Sequence, residues 1–442
     1  MAERTSIYQL IESLTEVGIY DPFTQAKLDL LGTRPFPRSD ITQKERTVIQ
    51  EIFAEYIETI KKEGTIRFSS LVTSEGGAAA GISKYDVAHF LGFGNMGPVY
   101  AVTRGGTSYA MKIYPSRRLK QMMQAHGKFG LGGILQDIEG LEGTARLSDL
   151  GRRVLYKKPR GIYGRCKRMV KVHDIGIEPN FMYVVMDLLA VDPISKANPT
   201  AMGANVHDIV SWGVDCAVAL CNLHVEEGRL HLNIRPEAFI RHASKEESRL
   251  PKYYFFQFPK KYYRPTGSPS LTTEFIMVDH LDNSVDISDK GPKGLSTVGS
   301  WTFIPPEAIL QLVKILRIHH DIYVVKRRPV DETLTIKLTR TQMDDVWALG
   351  LTLYQFLTGG KNPFGQPKSL ADMVNSILLT KFDFSPVDPL FQDLISSMLE
   401  KEPKKRFLRL LDGCPDKIKS RKVLAEGILF KLEQIGLQHH PS

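Results

Sequence analysis

Two hydrophobic periods follow one another along the chain. Between residues 42 and 64, "TQKERTVIQEIFAEYIETIKKEG" sets Val48, Ile49, Ile52, Phe53, Tyr56, Ile57 and Ile60 on one helical stripe, with Gly64 as its stop. That stripe predicts a mainly helical stretch over residues 1–80, and "SEGGAAAGIS" (74–83) reads as a joint. From about residue 84 the period shortens. "YDVAHFLGFG", "GPVYAVTRG" and "SYAMKIYP" read as strands parted by glycine turns, and "FMYVVMDLLA" (181–190) as a further apolar strand. Longer helical patterns follow at 205–227 and 342–360, and "DKIKSRKVLAEGILFKLEQIGLQ" offers a last amphipathic helix. A strand-rich part followed by a helix-rich part predicts an α+β chain of two lobes.

The glycine turns bring in candidate chemistry. "LGFGNMGPVY" places Gly92, Gly94 and Gly97 ahead of Val99, and "YAMK" ends at Lys112, fifteen residues past the last glycine. Glycines let a hairpin approach phosphates closely, and a lysine from the next strand neutralises them. This combination resembles the N-terminal lobe of protein kinases.

Further stretches resemble kinase motifs in kinase order. "YVVMDLL" is similar to the hinge, with Met186 as gatekeeper and Asp187 opening the hinge. "HLNIRPEAF" stands where kinases carry the catalytic loop, and "FIMVDHL" puts Asp279 at the metal-binding aspartate. "GSWTFIPPE" resembles the end of an activation segment, closing on Glu307. "DDVWALGLTLYQFLTGGKNPF" resembles the buried helix whose acid, here Asp345, anchors the catalytic loop. "LISSMLEKEPKKRF" supplies Arg406 to pair with Glu307. The resemblance implies a bilobal protein-kinase-like domain over 84–410, with an N-lobe at about 84–190 and a C-lobe at about 191–410. A helical N-terminal extension (1–80) and a C-terminal helical tail (411–442) flank it.

The chemistry departs from that pattern. Asn233 and Ala238 stand at the positions of the catalytic-loop aspartate and asparagine. A carboxamide is no general base near neutral pH, and a methyl group does not ligate a hard cation. Arg235 replaces the usual lysine. His280 and Leu281 replace the phenylalanine and glycine that follow the metal aspartate, and Glu139 and Glu142 compete for the role of lysine partner. The resemblance therefore implies a pseudokinase: no enzyme, with no catalytic side chains. It implies a nucleotide site at Gly92, Gly94, Gly97, Val99, Ala110, Lys112, Met186, Asp187 and Asp279 that still takes ATP. Mg²⁺ would be held at Asp279, weakly or not at all.

Charge and length add the partner. The chain has 442 residues and a formal net charge of +9, and "GRRVLYKKPRGIYGRCKRMVK" (151–171) carries basic residues without an acid. A second long insertion, 242–275, has the core "KYYFFQFPKKYYR", which mixes aromatic and basic residues as protein interfaces do. A third, about 314–340, reads as strand-forming. The expected function is a scaffold or allosteric regulator acting through protein–protein contacts. Its partner would be an acidic protein surface, such as an active kinase or a cytoskeletal or regulatory complex. Two alternatives are an active ATP-dependent phosphotransferase of unusual mechanism, and nucleic-acid binding through the basic insertions, which composition alone supports weakly. The N-terminal extension and the P-P-E at Glu307 also resemble rhoptry-type kinases and pseudokinases of apicomplexan parasites.

No apolar run reaches the ~20 residues that span a bilayer, and residues 1–18 lack a signal-peptide pattern. The expectation is a cytoplasmic chain without a membrane span, with secretion open if the chain is processed. Cys166, Cys216, Cys221 and Cys414 are too scattered for a disulfide framework and read as buried thiols.

Overall fold

A computed structural model of the chain describes residues 9–10, 13, 56–70, 81–94, 97–115, 172–178, 181–188, 206–221, 224, 229–231, 234–236, 239–244, 273–278, 285–286, 293–294, 303–327, 337–338, 341–365 and 370–439. The architecture is α+β. Six antiparallel strands close into a barrel, and the helices form a second body.

The barrel strands are β1 (Thr65–Ser70), β2 (Ile82–Gly94), β3 (Gly97–Arg104), β4 (Thr107–Pro115), β5 (Val172–Ile177) and β6 (Phe181–Asp187), in the order β1-β2-β3-β4-β6-β5. Alternation decides their facing. Met111 and Ile113 of β4 and Tyr183 and Val185 of β6 are buried in one apolar cluster with Ile66, Phe68 and Tyr85. The intervening Ala110, Met182, Val184 and Met186 belong to the larger cluster that fills the helical body. β4 and β6 therefore separate the two cores.

Strand β1 corrects the sequence expectation that residues 1–80 are a mainly helical extension. Helix occupies 56–63 and ends at Gly64, whose N–H donates to the Ile60 carbonyl at 2.8 Å. The chain then turns directly into β1, with Ile66, Phe68 and Ser70 buried between exposed Arg67 and Ser69. β1 pairs with β2 from Thr65↔Asp86 to Ser69↔Ile82, and with β5 through Ser69↔Ile177 and Ser70↔Gly176. It is thus the stave that closes the sheet.

Two features hold the closure. Phe68 lies so near Gly176 that a Cβ there would come within 1.9 Å of the ring, so only glycine fits. The buried carboxylate of Asp174 in β5 accepts hydrogen bonds from Ser70 Oγ, from Ser83 Oγ at 2.7 Å and from Tyr85 OH at 3.0 Å, and Arg104 reaches it at 3.5 Å. One aspartate therefore ties β1, β2 and β3 to β5. Burial, followed by the Asp174 charge, pushes the Tyr85 phenol well above its ordinary value, so it stays a donor. The helix 56–63 caps the barrel: Tyr56 stacks on Phe181 with centroids 4.2 Å apart and shares a 2.8 Å hydrogen bond with Tyr183 OH.

The helical body contains α1 (Val206–Cys221), α2 (Pro306–His319), α3 (Gln342–Leu357), α4 (Leu370–Leu379), α5 (Pro389–Met398), α6 (Pro403–Leu411), α7 (Asp416–Arg421) and α8 (Leu424–His439). α3 is its axis, buried from Asp344 to Leu357. A capping box starts it: Thr341 Oγ1 accepts from the Met343 N–H at 3.2 Å, and Asp344 accepts from the Thr341 N–H at 2.8 Å. A Cβ on Gly350 would sit 2.8 Å from Cβ of Met398, so this glycine lets α3 and α5 meet closely. Helix α8 packs along α1 and also touches α6, α5 and α3, so the amphipathic tail is part of the body.

The first part of the third insertion, expected as strand, is helix: α2 continues into a π-helical turn, His320–Val325. Among the described residues of its second part, Lys337–Leu338 (β12) is strand, paired with Lys293–Gly294 (β11). The β-branched residues of the first part resemble a strand in composition. The buried Ala308, Ile309 and Leu316, with Val313 packed beside them, repeat at helical spacing, and that repeat decides. The second insertion springs from a hairpin, β8 (Phe239–Ser244) with β9 (Thr273–Val278), whose register runs from Phe239↔Val278 to Ser244↔Thr273. Cys216, Cys221 and Cys414 are buried and form no disulfide. Among the described residues no helix is long and apolar enough to cross a membrane.

Candidate functional site

Cross-strand pairing gathers most of the expected nucleotide positions on one face. Val99 pairs with Lys112, and Lys112 with Val184. Ala101 pairs with Ala110, and Ala110 with Met186. Gly92 pairs with Val99 across β2 and β3, and Gly94 with Gly97 at the hairpin end. Directly opposed residues of an antiparallel pair point to the same side. Gly92, Val99, Ala110, Lys112 and Met186 thus share the face of the sheet turned away from the barrel core. Ala110 and Met186 are buried against the helical body, and Lys112 and Val99 are half-buried beside them.

Asp187 stands apart from this group. Its carboxylate bonds His173 at 2.6 Å, and the His173 ring meets Tyr109 edge-on at 5.0 Å, on the barrel-core side of β4 and β6. At this position only the backbone is offered to the Lys112 face.

The loop beginning at His231 is held from beneath. Asp345, fully buried in the first turn of α3, accepts from the His231 backbone N–H at 2.7 Å and contacts His224 Nε2 at 2.8 Å. Burial alone would raise the Asp345 carboxyl. The hydrogen bond and charge of His224, together with His231, outweigh burial and hold it below the usual aspartate value. His231, Ile234 and Arg235 are all buried. β7 (Arg229–Leu230) leads into this loop and pairs with β10 (Val285–Asp286), while Phe239 pairs with Val278 just after it. The residues flanking Ala238 and Asp279 are therefore opposite each other. Asn233, Ala238, Asp279, His280 and Leu281 themselves lie outside the described residues, as do Glu139, Glu142 and the basic run 151–171.

A second anchor joins α2 to α6. Arg406, fully buried, holds Glu307 with two bonds, Nη1–Oε1 at 2.8 Å and Nη2–Oε2 at 3.2 Å. Its Nε donates to the Glu400 carbonyl at 2.8 Å, and its guanidinium lies 4.9 Å from the Trp347 ring centroid. The pair expected from sequence is formed. His224 and the His173–Asp187 contact carry no comparable sequence signal, since each depends on pairing with a residue that is distant or on another strand.

As a nucleotide face, the arrangement offers a cation, Lys112, beside small and apolar residues and a glycine hairpin, which suits a phosphate chain carrying a flat base. Among the described residues no group of three or more His, Cys, Asp or Glu could hold a metal ion, and Ala238 has no donor atom. No family model and no curated protein matches the chain.

Proposed function

We propose that the chain is a pseudokinase. It has a kinase-like fold without phosphoryl transfer, works as a scaffold or allosteric regulator, and retains the Lys112 face for ATP. The observation that carries this reading is the contrast within one loop. "HLNIRPEAF" is anchored at its start, where the His231 N–H donates to the buried Asp345. Yet the sequence puts Asn233 and Ala238 at the positions that the kinase resemblance assigns to chemistry, and neither is a base or a metal ligand. The strand order of the barrel, with Lys112 between Val99 and Val184, supports the nucleotide part. The basic insertions support an acidic protein partner.

Calorimetric titration of ATP into the full chain and into Lys112→Ala, with and without Mg²⁺, tests the nucleotide part. The expected result is weak-to-moderate binding that Lys112→Ala abolishes and that depends little on Mg²⁺. No heat at millimolar ATP with Mg²⁺ or Mn²⁺ would overturn the nucleotide part and leave a scaffold without a ligand.

A further inference from the structure

The face of α2 turned away from the body has a pattern that the fold does not use. Ala308, Ile309 and Leu316 point inward and are buried. On the opposite side Leu310 (49% exposed), Ile318 (57%) and Val325 (62%) stand in solvent, separated by eight and seven positions. Lys314 falls between Leu310 and Ile318, so along α2 the exposed residues 310, 314 and 318 form a seam that steps by four, a spacing at which helices pack against one another. Asp321 and Val325 extend the exposed strip onto the π-helical turn.

Charge narrows the occupant. Lys314, Arg317, Lys326 and Arg327 flank the seam and are exposed. Lys326 pairs there with Asp321 at 2.6 Å. Lys314, Arg317 and Arg327 have no carboxylate within ion-pair distance among the described residues. A second copy of this chain would set cation against cation. A bilayer surface calls for a wide apolar face, and here single apolar residues alternate with charged ones.

We infer that the exposed face of α2 and its π-helical continuation docks an acidic amphipathic helix of another protein. Leu310, Ile318 and Val325 supply the seam, and Lys314, Arg317 and Arg327 select acidic flanks. The inference rests on the scaffold reading and names the surface that reading needs. A single-helix contact is smaller than a standard interface.

The test is a displayed library of heptad-repeat helical peptides with randomised flanking positions, selected on the full chain. Recovered peptides are then titrated against wild type, Ile318→Asp and the Lys314→Glu/Arg317→Glu double variant. All of these side chains are exposed, so the thermal melt should not move. The expected result is a pool rich in Glu and Asp flanks, with binding weakened about tenfold or more by either variant. A pool without acidic flanks, or one that binds Ile318→Asp as well as wild type, would overturn the inference. So would binding of phosphatidylserine vesicles that Ile318→Asp abolishes, because that outcome makes the face a membrane contact. Phosphoryl transfer by the wild-type chain would sink the scaffold reading without changing these titrations.

Discussion

Asp345 and Gly176 mark the two ends of what single residues disclose. Asp345 opens a long apolar helical run, and its anchoring role was expected from the resemblance of "DDVWALGLTLYQFLTGGKNPF" to a kinase helix. The structure adds the partners, the His231 N–H and His224, which hold the carboxyl below its ordinary value. Gly176 gives no such signal. It looks like a turn residue, and its necessity comes from the Phe68 ring, which reaches it only when the barrel closes. Gly176→Ala must therefore displace Phe68 or part β1 from β5. The expected loss is about 1–3 kcal/mol, read as a lower urea midpoint. An unchanged midpoint would mean that Phe68 has another place to go.

At the scale of elements, the strands β2 to β4 and β6 and the helix α3 were visible because each keeps one hydrophobic period over its length. β1 and α2 were not. β1 has only a short alternation, directly after a longer helical stripe, and its closure needs partners on β2 and β5. α2 is rich in β-branched residues, and only its packing against the body shows the helical repeat. The Glu307–Arg406 pair joins α2 to α6, and there the motif was sufficient. Glu307→Ala leaves the fully buried Arg406 without its carboxylate. The expected cost is about 3–5 kcal/mol, measured by chemical denaturation. A change within a few tenths of a kcal/mol would show that the Glu400 and Met343 carbonyls satisfy the guanidinium by themselves.

For the whole molecule, a barrel closed by its own N-terminal strand stands against a helical body, with the Lys112 face turned toward that body. Asp345 holds the start of the His231 loop, while the kinase resemblance assigns Asn233 and Ala238 to positions where transfer chemistry would need an acid and a metal ligand. The proposed scaffold reading takes this as an organisation for binding, and the exposed seam on α2 fits that proposal. The most direct test is an assay for transfer of the ATP γ-phosphate, to the chain itself, to water and to a generic acceptor protein. Wild type, Lys112→Ala and Asn233→Asp would be compared with Mg²⁺ and with Mn²⁺. The account predicts that wild type transfers no more than Lys112→Ala. Transfer by wild type that Lys112→Ala removes would contradict it.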